Sequence, residues 1–293
     1  MNSLKKLAVF AIAFFCAVLP ARGDILGISF DDGTLVNVNP STGATSNPRS
    51  TGLNQTIGIA FSPTGTLYTV TAFGAATNPN TLFTLNPATG AATLVGPTTG
   101  ANLAEGDLAF SPTGTLYGLS SFLPAQFSRQ LVTINTATGA ASIVGTVNSA
   151  DTAPDFSAIA FTPTGTMYVF ENTTNGLVPG TGGNLLTINP TNAATLNSVP
   201  LSQNLGQVEG MYYDPITGNL VVADGSTGAA DELFSLNPAT GVLTPIGSLT
   251  AAAPNGLSGL AVTPAPLPPA VFAALPALVI AGFVLRRIKT CMT

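Results

Sequence analysis

Between Asp24 and Pro264 the chain alternates short apolar runs with clusters of Pro, Thr, Asn and Gly, the pattern of brief strands separated by tight turns. The run Ile57 to Phe61, the turn Ser62-Pro63-Thr64-Gly65 and the run Leu67 to Val70 give the first clear hairpin. Ser at the first position, Pro at the second and Gly at the fourth are the preferences of a type I turn. The same unit returns around Ser111 to Gly114 and Thr162 to Gly165, more loosely around Asp214 to Gly218, and once more from Gly259 to Pro264, where it stops at its turn. A second hairpin is built on Asn86-Pro87-Ala88-Thr89-Gly90, whose Gly supplies the positive φ that closes a longer turn. Its first residue aligns with Asn39, Asn135, Asn189 and Asn237, and the five are 47, 49, 54 and 48 residues apart.

Two hairpins per repeat make four antiparallel strands in about 48 residues, the size of a propeller blade. The two ends of the array are complementary. The last copy holds only a first strand, Leu257 to Thr263, and the first holds only later strands: Ile25 to Phe30, Thr34 to Asn39 and Gly43 to Asn47. Together they complete one blade, which predicts an all-β, closed five-bladed propeller over 24–264, because closure pairs edges that would otherwise stay open. An open β-solenoid is the alternative, and it has no need of complementary fragments.

In a four-stranded blade the two tight turns share one face. The opposite face takes the connections of variable length, from Asp31 to Gly33 through Ser120 to Gln130 to Ser248 to Gly256. Variable loops on a rigid scaffold are where binding usually resides.

Charge sharpens this division. The 293 residues include 8 Lys and Arg against 13 Asp and Glu, with no His and no Trp. Most basic residues lie near the termini, so between Asp24 and Pro264 the balance is 2 − 13 = −11, with Arg49 and Arg129 the two positive charges, both expected on the variable face. Asp31, Asp32, Glu105, Asp107, Asp151, Asp155, Glu171, Glu209, Asp224, Asp231 and Glu232 fall in or beside variable connections, which is 11 of the 13 acids. Strands and tight turns exclude charge, so part of this segregation is a default. Even so, a negative face attracts cations and repels nucleic acid and anionic membrane, so no nucleic-acid partner is expected.

The middle also lacks Cys and Lys, since Cys16 and Cys291 sit in the end segments. Ser-His-Asp, Cys-His, Schiff-base, zinc and haem chemistry are thereby excluded from it. An enzyme built here would rely on carboxylates, and Glu105 with Glu209 is the pair to consider for general acid and base work on a glycan. Phe122 and Phe127 flank Pro124 and Ala125 in one variable loop, where they could stack on a sugar ring or close the loop. Tyr68, Tyr117 and Tyr168 recur on second strands and are expected to pack between blades.

The ends look like addresses. Lys5 and Lys6, an apolar run from Leu7 to Leu19, and Ala21-Arg22-Gly23 predict a signal peptide over 1–23, removed by signal peptidase. At the other end a Pro-rich stretch over 265–269 precedes an apolar segment over 270–285, expected to form a membrane helix, and a basic tail over 286–293 expected in the cytoplasm. Pro266-Leu267-Pro268, the hydrophobic segment and Arg286-Arg287 together resemble the PEP-CTERM sorting signal, in its Val-Pro-Leu-Pro-Ala variant. That resemblance implies processing by an exosortase-type enzyme, a membrane-anchored precursor, and a final place at the outer surface or in the extracellular matrix of a Gram-negative bacterium that makes exopolysaccharide.

Glu105-Gly106, Glu209-Gly210 and Asn255-Gly256 recur near the starts of first strands, and Leu220 to Asp224 ends a second strand. These loosely resemble the metal-binding propellers of the gluconolactonase and regucalcin group. The resemblance implies oxygen ligands converging on a hard cation such as Ca²⁺, with Glu105, Glu209 and Asp224 as the ligands. The favoured reading is a non-enzymatic surface or matrix protein that binds polysaccharide, protein or Ca²⁺ through its acidic face, at Glu105, Asp107, Phe122, Phe127, Asp155, Glu171, Glu209, Asp224, Asp231 and Glu232. The alternative is a secreted carboxylate-based glycan hydrolase or lyase using Glu105 and Glu209.

Overall fold

The computed structural model describes residues 23–103, 107–120, 130–148, 155–172, 183–205, 208–224, 231–249 and 256–264, and residues 23–264 form one compact unit. Its twenty strands make five antiparallel sheets of four. Blade 1 runs β20 (Leu257–Val262), β1 (Ile25–Ser29), β2 (Thr34–Val38), β3 (Thr45–Ser50) from the inside out. Blade 2 is β4 (Thr56–Phe61), β5 (Leu67–Thr71), β6 (Thr81–Leu85), β7 (Ala92–Pro97). Blade 3 is β8 (Leu108–Phe110), β9 (Leu116–Ser120), β10 (Gln130–Ile134), β11 (Ala141–Thr146). Blade 4 is β12 (Asp155–Phe161), β13 (Met167–Asn172), β14 (Asn184–Ile188), β15 (Thr195–Pro200), and blade 5 is β16 (Val208–Tyr213), β17 (Leu220–Asp224), β18 (Glu232–Leu236), β19 (Leu243–Ser248). No helix occurs among the described residues, and none there is long and apolar enough to cross a membrane. The signal peptide, sorting motif and C-terminal apolar segment lie outside the described residues.

Closure is the decisive feature, and it replaces the open solenoid. The C-terminal β20 pairs with the N-terminal β1, with Ile25 opposite Val262 and Ile28 opposite Gly259. Apolar side chains then collect in five clusters, one between each pair of neighbouring blades. Blades 5 and 1, which meet where the ring closes, share Ile25, Val36 and Leu257 with Val221 and Leu233. Each cluster is buried, because Ile, Leu and Val from two facing sheets interdigitate there.

A second contact repeats around the ring. The Asn-first turn of each blade is seated on the outer strand of the blade before it, close enough that glycine is needed on one or both sides. A Cβ on Gly139 would lie 2.3 Å from the Gly96 carbonyl oxygen, and one on Gly145 would lie 2.6 Å from that of Asn192. Gly43 meets Gly247 in the same way, Gly90 meets Ser50, and Gly241 meets Pro200. Backbone hydrogen bonds fasten the contact, including Ser202 N–H to Gly241 O at 2.9 Å and Ala141 N–H to Thr99 O at 2.9 Å. Arg49, expected on the variable face, belongs instead to this contact. Its guanidinium donates to the Pro87 carbonyl of the next blade at 2.7 Å and to Asn37 Oδ1 at 2.6 Å. A fork of donors on a long stem can bridge two acceptors that a strand end holds apart.

Candidate functional site

The five inner strands surround the axis, and their sequences align at Gly58, Asp107, Ala158, Gly210 and Gly259. Around this position β4, β12, β16 and β20 pair irregularly with their neighbours, between Thr56 and Ile59, Phe156 and Ala158, Val208 and Gly210, and opposite Ile28 and Ser29. Such bulges re-aim a strand and commonly border sites. Here they bring the small residues onto the axis, where a Cβ on Gly259 would lie 2.6 Å from the Gly58 Cα.

Asp107 fills the space that the small residues leave. It is 0% exposed, against the expectation of a face-lining acid. Its Oδ1 accepts the Leu108 N–H at 2.8 Å, and its Oδ2 accepts the Met211 N–H at 3.0 Å. The N–H groups of Ile59 and Leu260 also act on the carboxyl, each lowering its pKa. These four N–H groups come from blades 3, 5, 2 and 1, and each belongs to the residue after the aligned position. Glycine at 58 is a steric requirement of the arrangement, since a Cβ there would stand 2.6 Å from Asp107 Oδ1. Burial pushes the Asp107 carboxyl well above the ordinary range, and the N–H groups of Met211, Leu108, Ile59 and Leu260 pull against it.

Towards the Ser-Pro-Thr-Gly turns the axis opens into a cavity of about 180 Å³, lined by residues 59–61, 108–110, 159–161, 211–213 and 260–262. No charged side chain is among them; the walls are aliphatic or aromatic apart from the tyrosine hydroxyls. Tyr68 packs on Phe110 with ring centroids 5.5 Å apart, and Tyr117 on Phe161 at 5.3 Å, each pair crossing from one blade to the next. The tyrosines therefore carry inter-blade packing.

The other acids divide into structural and peripheral groups. Glu171 is 1% exposed and accepts from Asn184 Nδ2 at 2.7 Å across the β13–β14 pair, so it too is withdrawn from the surface. Beside it, Asn172 bridges Ser157 Oγ and the Val208 N–H, tying blade 4 to blade 5. Asp32 caps its own turn by accepting from Thr34, and although burial pushes its carboxyl up, the hydrogen bonds of Thr34 and Ser29 prevail and its pKa is lowered. Asp214 accepts from Ile216 and Thr217 within a turn. Blade 5 gathers Asp224, Asp231 and Glu232 at one end of the β17–β18 pair, where Asp224 stands opposite Glu232. Burial raises the Asp231 pKa, the nearby Asp224 charge adds to that, and the Gly256 N–H opposes it. Glu105, Phe122, Phe127 and Arg129 lie outside the described residues, as do the side chains of Asp155 and Glu209. Among the described residues no three His, Cys, Asp or Glu side chains are grouped to hold a metal ion.

Sheet order, closure and axial geometry together define a five-bladed all-β propeller of four-stranded antiparallel blades. The chain belongs to a family described as a repeat of unknown function (DUF6923), which matches residues 108–259. No curated protein matches the sequence. Among solved structures the propeller is similar to a gluconolactonase of Xanthomonas campestris, at 16% identity and a TM-score of 0.46, over 82% of this chain and 80% of that one. It is similar to the periplasmic gluconolactonase of Pseudomonas aeruginosa at 12% identity and a TM-score of 0.46, over 84% and 100%. TolB of Acinetobacter baumannii is similar at 14% identity and a TM-score of 0.46, over 80% of this chain and 56% of that one.

Proposed function

We propose that the protein is an exported, non-enzymatic propeller that binds polysaccharide or a surface protein at the cell surface or in an exopolysaccharide matrix. The observation that carries this reading is the commitment of Asp107. Among the described residues the carboxylate on the axis, where a propeller would naturally place a ligand or a reacting group, is that of Asp107, and both its oxygens accept N–H groups of inner strands. The ring is thus braced at its centre, and recognition is left to the loops and to the blade-5 acids on its rim.

Export and anchoring complete the reading. Residues 1–23 have the features that signal peptidase handles. Pro266, Leu267, Pro268, Arg286 and Arg287 fit an exosortase-type sorting step on a precursor held in the membrane by 270–285. A hard cation at Glu105, Glu209 and Asp224 remains part of the proposal, and calorimetric titration of the purified protein with Ca²⁺ tests it: absence of heat and of any rise in melting temperature removes the cation from the reading.

The main test is incubation with the producing cell's own exopolysaccharide. Retention of the protein on the polymer, with no new reducing ends and no unsaturated sugars, is the expected result. Turnover abolished by Glu105→Gln or Glu209→Gln would replace the binding function with a glycan hydrolase or lyase.

A further inference from the structure

The axial arrangement has the parts of an anion receptor. In an antiparallel ladder, alternate residues turn their N–H groups away from the paired neighbour. On an inner strand that direction is the axis. Leu108 and Met211 donate their N–H groups to the Asp107 carboxylate in this way, and the N–H groups of Ile59 and Leu260 act on it too, so strands from four blades present N–H groups to one point. The donors belong to backbone held in place by the sheets, and the aligned position beside three of them is Gly58, Gly210 or Gly259, which keeps side chains out. Convergent backbone N–H groups favour a small negative ligand, and here they oppose the burial that pushes the Asp107 carboxyl up. Blade 3 delivers one: its aligned residue is an acid, Asp107, and the carboxylate sits where the donors point.

We propose that the axis of the ring is a receptor for one small carboxylate-like anion, and that the Asp107 side chain is its resident ligand, supplied by the chain itself. The site goes beyond the binding function assigned to the loops and does not depend on it. Emptied of its resident group, the receptor accepts formate or chloride from solution.

The test is Asp107→Ala in the full-length protein. Blade 4 already carries Ala158 at the aligned position, so the substitution removes the carboxylate and leaves a residue that an inner strand accommodates. The variant is expected to melt well below wild type in anion-poor buffer. Formate or chloride at about ten times its dissociation constant should raise its melting temperature by about 3–6 °C, saturably. Wild type, whose receptor is full, should not respond beyond the general salt effect. Asp107→Asn provides the second variant: it fills the space but turns an amide NH₂ towards donors, so it should melt below wild type and ignore formate.

An Asp107→Ala protein that melts with wild type, or that responds to neither anion, overturns the proposal. Should Asp107→Ala fail to refold in anion-poor buffer, recovery of the fold on adding formate supports it and failure to recover overturns it. An Asp107→Asn protein as stable as wild type also overturns it, because the charge would then be dispensable.

Discussion

Replacing Gly139 by Ala tests the contact in which each Asn-first turn rides on the preceding blade. Gly139 has a φ of 81°, and its added Cβ would fall 2.3 Å from the Gly96 carbonyl oxygen and 2.6 Å from the Gly96 carbonyl carbon. Gly165, in a Thr-first turn, has a φ of 92° with nothing within 4 Å of its Cβ position. Both substitutions incur the strain of a side chain in the left-handed region, about 1–2 kcal/mol. Only Gly139→Ala must also displace main chain, because Gly96 lies on β7 and is paired with Leu82. Forcing atoms into a packed contact adds about 1–3 kcal/mol. The expected cost is therefore about 1–2 kcal/mol for Gly165→Ala and about 2–5 kcal/mol for Gly139→Ala. In a ring of this size each kcal/mol lowers the melting temperature by about 2–4 °C. Urea and thermal unfolding of the two variants, followed by circular dichroism, measure the difference. Equal losses would refute the seating of the turn on the neighbouring blade.

The same position in blade 4 predicts the opposite sign. Ala193 adopts a φ of 61°, so Ala193→Gly relieves about 1–2 kcal/mol of strain against about 0.8 kcal/mol for the lost methyl burial, and should melt at or slightly above wild type. Arg49→Lys keeps the charge but cannot hold both Pro87 and Asn37, and should lose about 1–2 kcal/mol, read as a lower urea midpoint. Asp231 has a folded-state pKa raised above 3.8, so its contribution favours folding below the unfolded value and is lost as pH rises through the folded value. Asp231→Asn should accordingly gain on wild type at neutral pH, with the gap narrowing on acidification; a gap independent of pH would contradict the assigned environment.

The ring could be read from the sequence because its instructions are local and repeated. Ser62-Pro63-Thr64-Gly65 and Asn86-Pro87-Ala88-Thr89-Gly90 set turn types by themselves, and a strand missing at one end and present at the other announced the closure. The role of Asp107 was less legible. Charge counting placed it with loop acids such as Asp224, and its distinction lies in the alignment of the five inner strands, where it stands among Gly58, Ala158, Gly210 and Gly259. One acid among four small residues was the available signal, but its burial follows from three-dimensional convergence of N–H groups that no single repeat encodes. Glu171 was misplaced for a similar reason: it sits at a strand end that the β14 partner Asn184 covers. The loop reach of Glu105 and Phe122 is not encoded by the repeat at all, since those segments are where the copies differ.

Closure by β20 also sets a schedule for the newborn chain. β1 is made first and its inner partner last, with about 230 residues synthesised between Ser29 and Leu257, which takes roughly 10–50 s at ordinary translation rates. Throughout that interval the edge of β1 has no native neighbour, and an exposed edge invites pairing with other chains. The ring is thus complete only after its final strand has been delivered, so a chaperone that shields the first hairpin has more to contribute than one that acts on finished blades.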